Sequence, residues 1–115
     1  KIRIKKAHID QASFEVQLRK LICQQLAGIT LPDVAAYFHI SIPYASDLIR
    51  QITGSNFTAL VLEERMRESE KLLKNSNVPV SKVALLSGYQ EPSYFMKVFK
   101  KYFGCTPSQY RDSQK

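Results

Sequence analysis

With 115 residues, 44% of them apolar, the chain can bury one small core or two very small ones, and its mix of apolar and charged residues excludes a disordered tail. A formal net charge of +7 and a pI of about 9.5 favour a polyanionic partner, nucleic acid before an acidic membrane surface. Cys23 and Cys105 stand far apart in no metal-ligand pattern, which excludes a disulfide framework and a zinc site, and no apolar run approaches membrane-spanning length.

The two thiols are expected to be reduced and largely buried, as in a cytosolic protein, and no metal or other cofactor is expected. No signal peptide is visible. The chain begins at Lys1 rather than at a methionine and is taken as a piece of something longer.

Lys1 to Lys6 is a basic run broken by Ile2 and Ile4. It is read as a solvated linker remnant, residues 1–12, the alternative being an arm that touches phosphates. Asp10 or Ser13 caps the next helix, whose apolar stripe is Phe14, Leu18, Leu21, Ile22 and Leu26, and Ala27-Gly28 ends it. Thr30-Leu31-Pro32-Asp33 has the form of a capping box, hydroxyl first and carboxylate three residues on. It precedes a short helix with Val34, Ala35 and Phe38 inside, and His39-Ile40 then makes a turn. Ser41 caps the following helix, and Pro43 lies in its first turn, where a missing N–H is tolerated. Ala45, Leu48, Ile49 and Ile52 face inward; Pro43, Ser46, Asp47 and Arg50 face outward, with Tyr44 and Gln51 at the margins. Thr53-Gly54 closes it.

Ser55-Asn56 caps a longer helix from Phe57 to about Lys74. Phe57, Leu60, Val61, Leu72 and Leu73 are its apolar contacts, and its middle, Glu63 to Lys71, carries charge of both signs, the pattern of a helix that bridges two packed ends. After the loop Asn75-Ser76-Asn77, Pro79 opens a short apolar helix, Val80 to Leu86. Ser87-Gly88-Tyr89 is a tight turn in which Gly88 takes the positive φ. Pro92 then begins a basic amphipathic helix. Phe95, Val98, Phe99, Tyr102 and Phe103 gather on one face, Ser93, Lys97, Lys100 and Lys101 fall opposite, and Gly104 stops it. Thr106 caps a last short helix that starts at Pro107 and carries Tyr110 and Arg111; Asp112 to Lys115 is expected to fray.

Two short helices around a turn, the second basic on its outer face, describe a helix-turn-helix whose second helix can enter a major groove. The chain contains the unit twice. Val34-Ala35 is matched by Val83-Ala84, His39-Ile40 by Gly88-Tyr89, Leu48-Ile49 by Val98-Phe99 after one extra residue in the second turn, and Gly54 by Gly104. The expectation is an all-α fold: a first subdomain at 13–55, a linker helix at 56–75, a second subdomain at 76–112 and a tail at 113–115. Roughly 18 linker residues span about 27 Å. Successive major grooves on one DNA face lie about 34 Å apart. Two units joined by a rigid helix make the second engagement nearly intramolecular.

Val83-Ala84, Ser87-Gly88-Tyr89, Ser93-Tyr94-Phe95, Val98-Phe99-Lys100-Lys101, Phe103-Gly104 and Thr106-Pro107-Ser108-Gln109-Tyr110-Arg111 together resemble the C-terminal signature of the DNA-binding domain of the AraC/XylS family of bacterial transcription regulators. Asn56-Phe57, Arg65 and Lys71-Leu72-Leu73 resemble that family's linker-helix pattern, so the likeness runs from about Phe14 to Arg111. The resemblance implies a seven-helix, all-α domain of two helix-turn-helix subdomains on one face of double-stranded promoter DNA. It implies a cytoplasmic, nucleoid-associated protein with no cofactor, with RNA polymerase as a candidate partner. A separate sensing, dimerisation or receiver domain, absent from this chain, would complete the full-length protein.

Carried over residue by residue, the base-reading positions fall on Pro43, Ser46, Asp47 and Arg50 in the first recognition helix, about 41–53. In the second, about 92–103, they fall on Ser93, Met96 and Lys97, with Pro92 and Tyr94 nearby. Lys97 has the chemistry to donate to guanine O6 and N7, Met96 and Tyr94 to touch thymine methyls or sugars. The alternatives are a solvated lysine and half-buried packing. Thr30, Ser81, Lys82, Lys100 and Lys101 are phosphate-contact candidates. Two departures stand out. His39 occupies a turn position where many members have glycine. Asp47 stands where they often have a basic or amide residue, and a carboxylate there either pairs with Arg50 or accepts from a cytosine N4.

An enzyme is the first rival reading. Some relatives of this domain are fused to DNA alkyl-transfer modules that use zinc-bound cysteines, but Cys23 and Cys105 have no neighbouring cysteines, base or histidine. His8 and His39 have no paired carboxylate cluster, and no glycine-rich phosphate loop is present. The second rival is a protein-interaction module with weakened DNA reading, for which Asp47 is the hint. A membrane-surface role fails because the apolar faces are needed for the core.

Overall fold

The computed structural model describes residues 10–114. The basic run from Lys1 to Lys6 and the terminal Lys115 lie outside the described residues. Among those described there are seven α-helices and no strand: α1 (Gln11–Gln24), α2 (Leu31–Phe38), α3 (Ile42–Thr53), α4 (Phe57–Asn75), α5 (Val80–Leu86), α6 (Pro92–Phe103) and α7 (Pro107–Ser113). The chain divides into two compact units, and the division falls inside α4, between Leu62 and Glu63.

Local chemistry sets most helix ends. Of the two caps open for α1, Asp10 is the one used: its carboxylate accepts from the Ser13 N–H at 3.0 Å. Thr30 and Asp33 close a reciprocal capping box on α2, Ser41 accepts from the Tyr44 N–H to cap α3, and Asn56 accepts from the Ala59 N–H at the start of α4. Thr106 and Gln109 form a second capping box on α7. Gly54 and Gly104 end α3 and α6 in the left-handed region, φ 78° and 82°. The helix α7 runs on through Asp112 and Ser113, where the sequence suggests fraying.

In the first unit, α1 and α2 pack on α3. Phe14, Leu18, Ile22, Val34, Leu48, Ile49 and Leu60 form its centre, all essentially inaccessible. The helix α1 stops at Gln24, short of the Ala27-Gly28 stop read from the sequence, because Gln25 leaves helical geometry and Gln25–Gly28 folds as a turn. Leu26 and Ile29 still reach the core from that turn.

The second unit contains the rest of α4 with α5, α6 and α7. Met66, Leu73, Val83, Ala84, Tyr89, Phe95 and Phe99 are buried in it. Phe95, Phe99 and Phe103 form a ladder of tilted rings along α6, with centroids 5.7 Å and 4.5 Å apart, and Tyr110 of α7 meets Phe99 edge-on at 5.6 Å. The Tyr110 hydroxyl donates to the Glu70 carboxylate and Arg111 donates to the Leu73 carbonyl at 3.2 Å, so α7 is fastened to the end of α4. The Arg65 guanidinium lies over the buried Tyr89 ring, 4.8 Å from its centre.

Three features differ from the sequence reading. The charged middle of α4 is not solvated all round: Met66 and Ser69 are fully buried and Glu64 nearly so. Ser69 tolerates this because its hydroxyl donates to the Met66 carbonyl at 2.9 Å, which satisfies the one polar group that burial would strand. Tyr102, assigned to the inner stripe of α6, is exposed; the Phe95–Phe99–Phe103 row fills the contact and leaves Tyr102 beyond its edge. Cys23 is exposed and Cys105 half-buried, since Cys23 lies beside the Leu18–Ile22 stripe of α1 rather than in it.

Candidate nucleic-acid interface

Each unit presents one helix whose inner face is locked and whose outer face is open. In the first unit α2 and α3 are joined by a turn closed at His39, which adopts the left-handed conformation at φ 59° and ψ 44°. Its own N–H and that of Ile40 return to carbonyls of α2, the latter to Ala35 at 3.0 Å. In the second unit Gly88 does the equivalent work at φ 100°, with the Tyr89 N–H bonded to the Ala84 carbonyl at 2.9 Å. Val34-Ala35 and Val83-Ala84 are buried, and the Ala35 and Ala84 carbonyls are the ones that accept from the turns. The repeat in the sequence is therefore a repeat of turn and core contacts.

On α3, Ala45, Leu48 and Ile49 are buried, while Pro43, Asp47 and Arg50 are exposed and share one stripe at helical spacing. Ser46 is half-buried beside them. Tyr44 packs against the core, its hydroxyl shut off from solvent without a hydrogen-bond partner, so this residue supports the helix rather than reaching outward. On α6, Phe95 and Phe99 are buried, and Ser93, Met96, Lys97, Lys100 and Lys101 are exposed. Tyr94 is 59% exposed, which places it on the open face rather than in the core. Pro92 is half-buried.

Two lysines of α6, Lys100 and Lys101, lie in its last turn, where they also offset the negative end of the helix dipole. The outer faces differ in charge. The helix α3 carries one Asp and one Arg, α6 three Lys and no acid.

The phosphate-contact candidates are not equivalent. Ser81 and Lys82 are exposed in the first turn of α5, whose preceding residue Pro79 provides no side-chain cap. At α2 the Thr30 N–H and hydroxyl both donate to the Asp33 carboxylate, at 2.9 Å and 2.8 Å. The Thr30 hydroxyl bond, and then the bond from its N–H, hold the Asp33 carboxyl below the usual carboxylate range. Thr30 thus meets an anion already in place.

One exposed residue was passed over in the sequence. Ile42, the first residue of α3, is 44% exposed beside Pro43. The signal was available: with Ser41 as the cap, Ile42 falls at the N-terminal end of the helix, where recognition helices meet base edges. No group of three or more His, Cys, Asp or Glu side chains converges as a metal site among the described residues, and none of their helices is long and apolar enough to cross a membrane.

The helix-turn-helix domain family model matches residues 34–113. The chain is 35% identical over 83 residues to the regulatory protein PocR of Salmonella typhimurium, an alignment covering 72% of this chain and 27% of that protein. It spans about a third or less of the length of the first curated relatives it matches, 34% and 27% for two of them. Among solved structures, it is similar to the C-terminal domain of AraT, a response regulator from Geobacillus stearothermophilus, with TM-score 0.79 and 31% identity over 87% of this chain and 84% of that one. A Chromobacterium violaceum regulator described as containing an AraC-type DNA-binding domain shares the fold, with TM-score 0.76 at 20% identity over 87% of this chain and 95% of its own. Paired helix-turn-helix units, the family match over both and the signature from Ser87 to Arg111 lead to one assignment: the chain belongs to the AraC/XylS family of helix-turn-helix transcription regulators.

Proposed function

We propose that this domain binds promoter DNA sequence-specifically by placing α3 and α6 in adjacent major grooves. The observation that carries the reading is the outer face of α6. Ser93, Met96, Lys97 and Lys100 stand exposed on a helix whose opposite side is held by the Phe95–Phe99–Phe103 ladder. A rigid helix with a bare basic face is what major-groove entry requires, because the backbone must be fixed before side chains can read base edges.

In this reading Lys97 reads guanine, Met96 and Tyr94 touch thymine methyls or sugars, and Ser93 contacts a base edge. Pro43, Ser46, Asp47 and Arg50 read the other half-site, with Ile42 added as an apolar contact. Lys82, Lys100, Lys101 and Ser81 anchor phosphates, and Thr30 contributes only where Asp33 yields to the phosphate. The full-length protein would add a sensing, dimerising or receiver domain, and AraT, being a response regulator, offers a precedent for the last. RNA polymerase is the further partner, and the cytoplasmic nucleoid the location.

The test is selection of duplexes from a randomised library by the 115-residue chain, followed by fluorescence anisotropy with selected and scrambled duplexes across salt. Tighter binding to selected DNA, with log affinity falling linearly against log salt, is the expected result. Equal affinity for both removes sequence readout. No binding at low salt overturns the reading in favour of a protein-interaction module.

A further inference from the structure

We infer that Asp47 makes the first unit a cytosine reader, so that one position of its half-site is fixed by an acceptor where the second unit uses a donor; this rests on the proposed entry of α3 into a major groove. The internal repeat supplies the first observation. Leu48-Ile49 corresponds to Val98-Phe99 and Gly54 to Gly104, which places Asp47 in the position of Lys97. The structure upholds that register: α3 and α6 are each 12 residues long, each has proline in its first turn, and each ends at a left-handed glycine. Asp47 and Lys97 are both exposed on the outer face.

The second observation is that the Asp47 carboxylate has no ion pair or hydrogen bond among the described residues. Arg50, three residues on, is the evident partner, yet the two do not pair. Elsewhere the chain does pair acids and bases at this kind of spacing: Arg19 with Glu15 and Arg67 with Glu63 at 3.1 Å, Lys71 with Glu68 at 3.3 Å and Lys74 with Glu70 at 3.6 Å. Nor is Asp47 a helix-dipole residue, since it lies beyond the first turn of α3. Of the two roles open to a carboxylate here, neutralising Arg50 is the one the geometry does not take.

An ionised carboxylate only accepts hydrogen bonds. In the major groove guanine offers N7 and O6, both acceptors, and thymine offers O4, also an acceptor. Adenine sets its N6 donor beside the N7 acceptor, and cytosine N4 is the donor best matched to a carboxylate. Asp47 is therefore repelled at guanine and thymine, tolerated less well at adenine and bonded at cytosine. Because the same charge is repelled by flanking phosphates everywhere, it also lowers affinity for unrelated DNA. Specificity then comes from a penalty relieved at one base, while the three lysines of α6 supply attraction.

The experiment compares duplex selection by the wild-type chain, Asp47→Asn and Asp47→Ala. Anisotropy follows on duplexes that differ at the one selected base pair. Asp47 is exposed, so both variants keep the fold, and matching circular dichroism melts verify it. Wild type is expected to select cytosine at one half-site position and to lose roughly tenfold in affinity when it becomes guanine. Asp47→Asn is expected to move that preference to adenine, because an amide bonds N6 and N7 together, and Asp47→Ala to bind unrelated DNA more tightly with the preference gone. An unchanged selected sequence in both variants, or a uniform rise in affinity with no change of preference, overturns the inference and leaves DNA reading intact. Failure of wild type to enrich any duplex removes DNA reading itself and this inference with it.

Discussion

Lys97 is exposed at the middle of α6, while Ser46 on α3 is half-buried. Truncating the first removes a charged donor from the open face; truncating the second removes a small hydroxyl already turned partly inward. Lys97→Ala is accordingly expected to weaken binding to a selected duplex by about 1–3 kcal/mol, and Ser46→Ala by less, as measured by anisotropy. The reverse order would shift the reading weight to the first unit. A second residue-level test concerns Tyr110. Burial, and then its bond to the Glu70 carboxylate, push the phenol up to about 12 from 10.0. The unfolded chain ionises first on raising pH, so this contribution to stability is full below about pH 10 and is lost as pH rises through about 12. Melting temperature should therefore fall over that range in wild type and fall less steeply in Tyr110→Phe. Burial raises the Tyr89 phenol too, so part of the fall remains in the variant.

Elements were legible where their ends are written in local chemistry. Thr30 with Asp33, Ser41, Thr106, and the glycines at 54 and 104 act within a few residues of themselves, and each takes the predicted role. The outer faces of α3 and α6 were legible for the same reason, since a 3.6-residue period sorts side chains without knowledge of the partner. What escaped depends on tertiary contact. In α4, Met66 and Ser69 lie at three- and four-residue spacing from the expected contact Leu73 and are buried with it, but charges of both signs on either side and a serine in a core position hide them in the sequence. The Tyr102 aromatic ring looks like a core residue and is not one, because an aromatic at the edge of a stripe is decided by what stands opposite. The stripe in α4 has a direct check. Met66→Ala should destabilise the chain by about 2–5 kcal/mol in urea unfolding. Its exposed neighbour Arg67, paired with Glu63 on the surface, should cost no more than about 0.5 kcal/mol on replacement by alanine.

At the scale of the whole molecule the charge is uneven in a useful way. The chain carries +7 overall, yet α3 is neutral in sum and α6 carries three lysines. Salt should therefore act mainly through the second unit. Lys100→Ala and Lys101→Ala are each expected to weaken binding to all duplexes alike and to reduce the slope of log affinity against log salt by about 1, whereas changes on α3 alter which duplex is chosen. Equal slopes in wild type and both lysine variants would place these side chains at the helix dipole instead of at phosphates.

The left-handed His39 also shapes what substitutions this turn will accept. Inside a helix or strand, glycine is among the poorer choices because it loosens the unfolded chain. Here the backbone already sits at φ 59°, a conformation that L-residues other than Asn, Asp and His seldom visit and that β-branched residues resist. A saturation library at this codon, sorted for folded protein, should be enriched in glycine and asparagine and stripped of valine, isoleucine and threonine. That spectrum is the inverse of the one expected at Ile40 next to it, where the side chain packs on the core. Histidine is then one of a small set of tolerated letters, and the turn is a place where lineages can drift towards glycine without losing the fold.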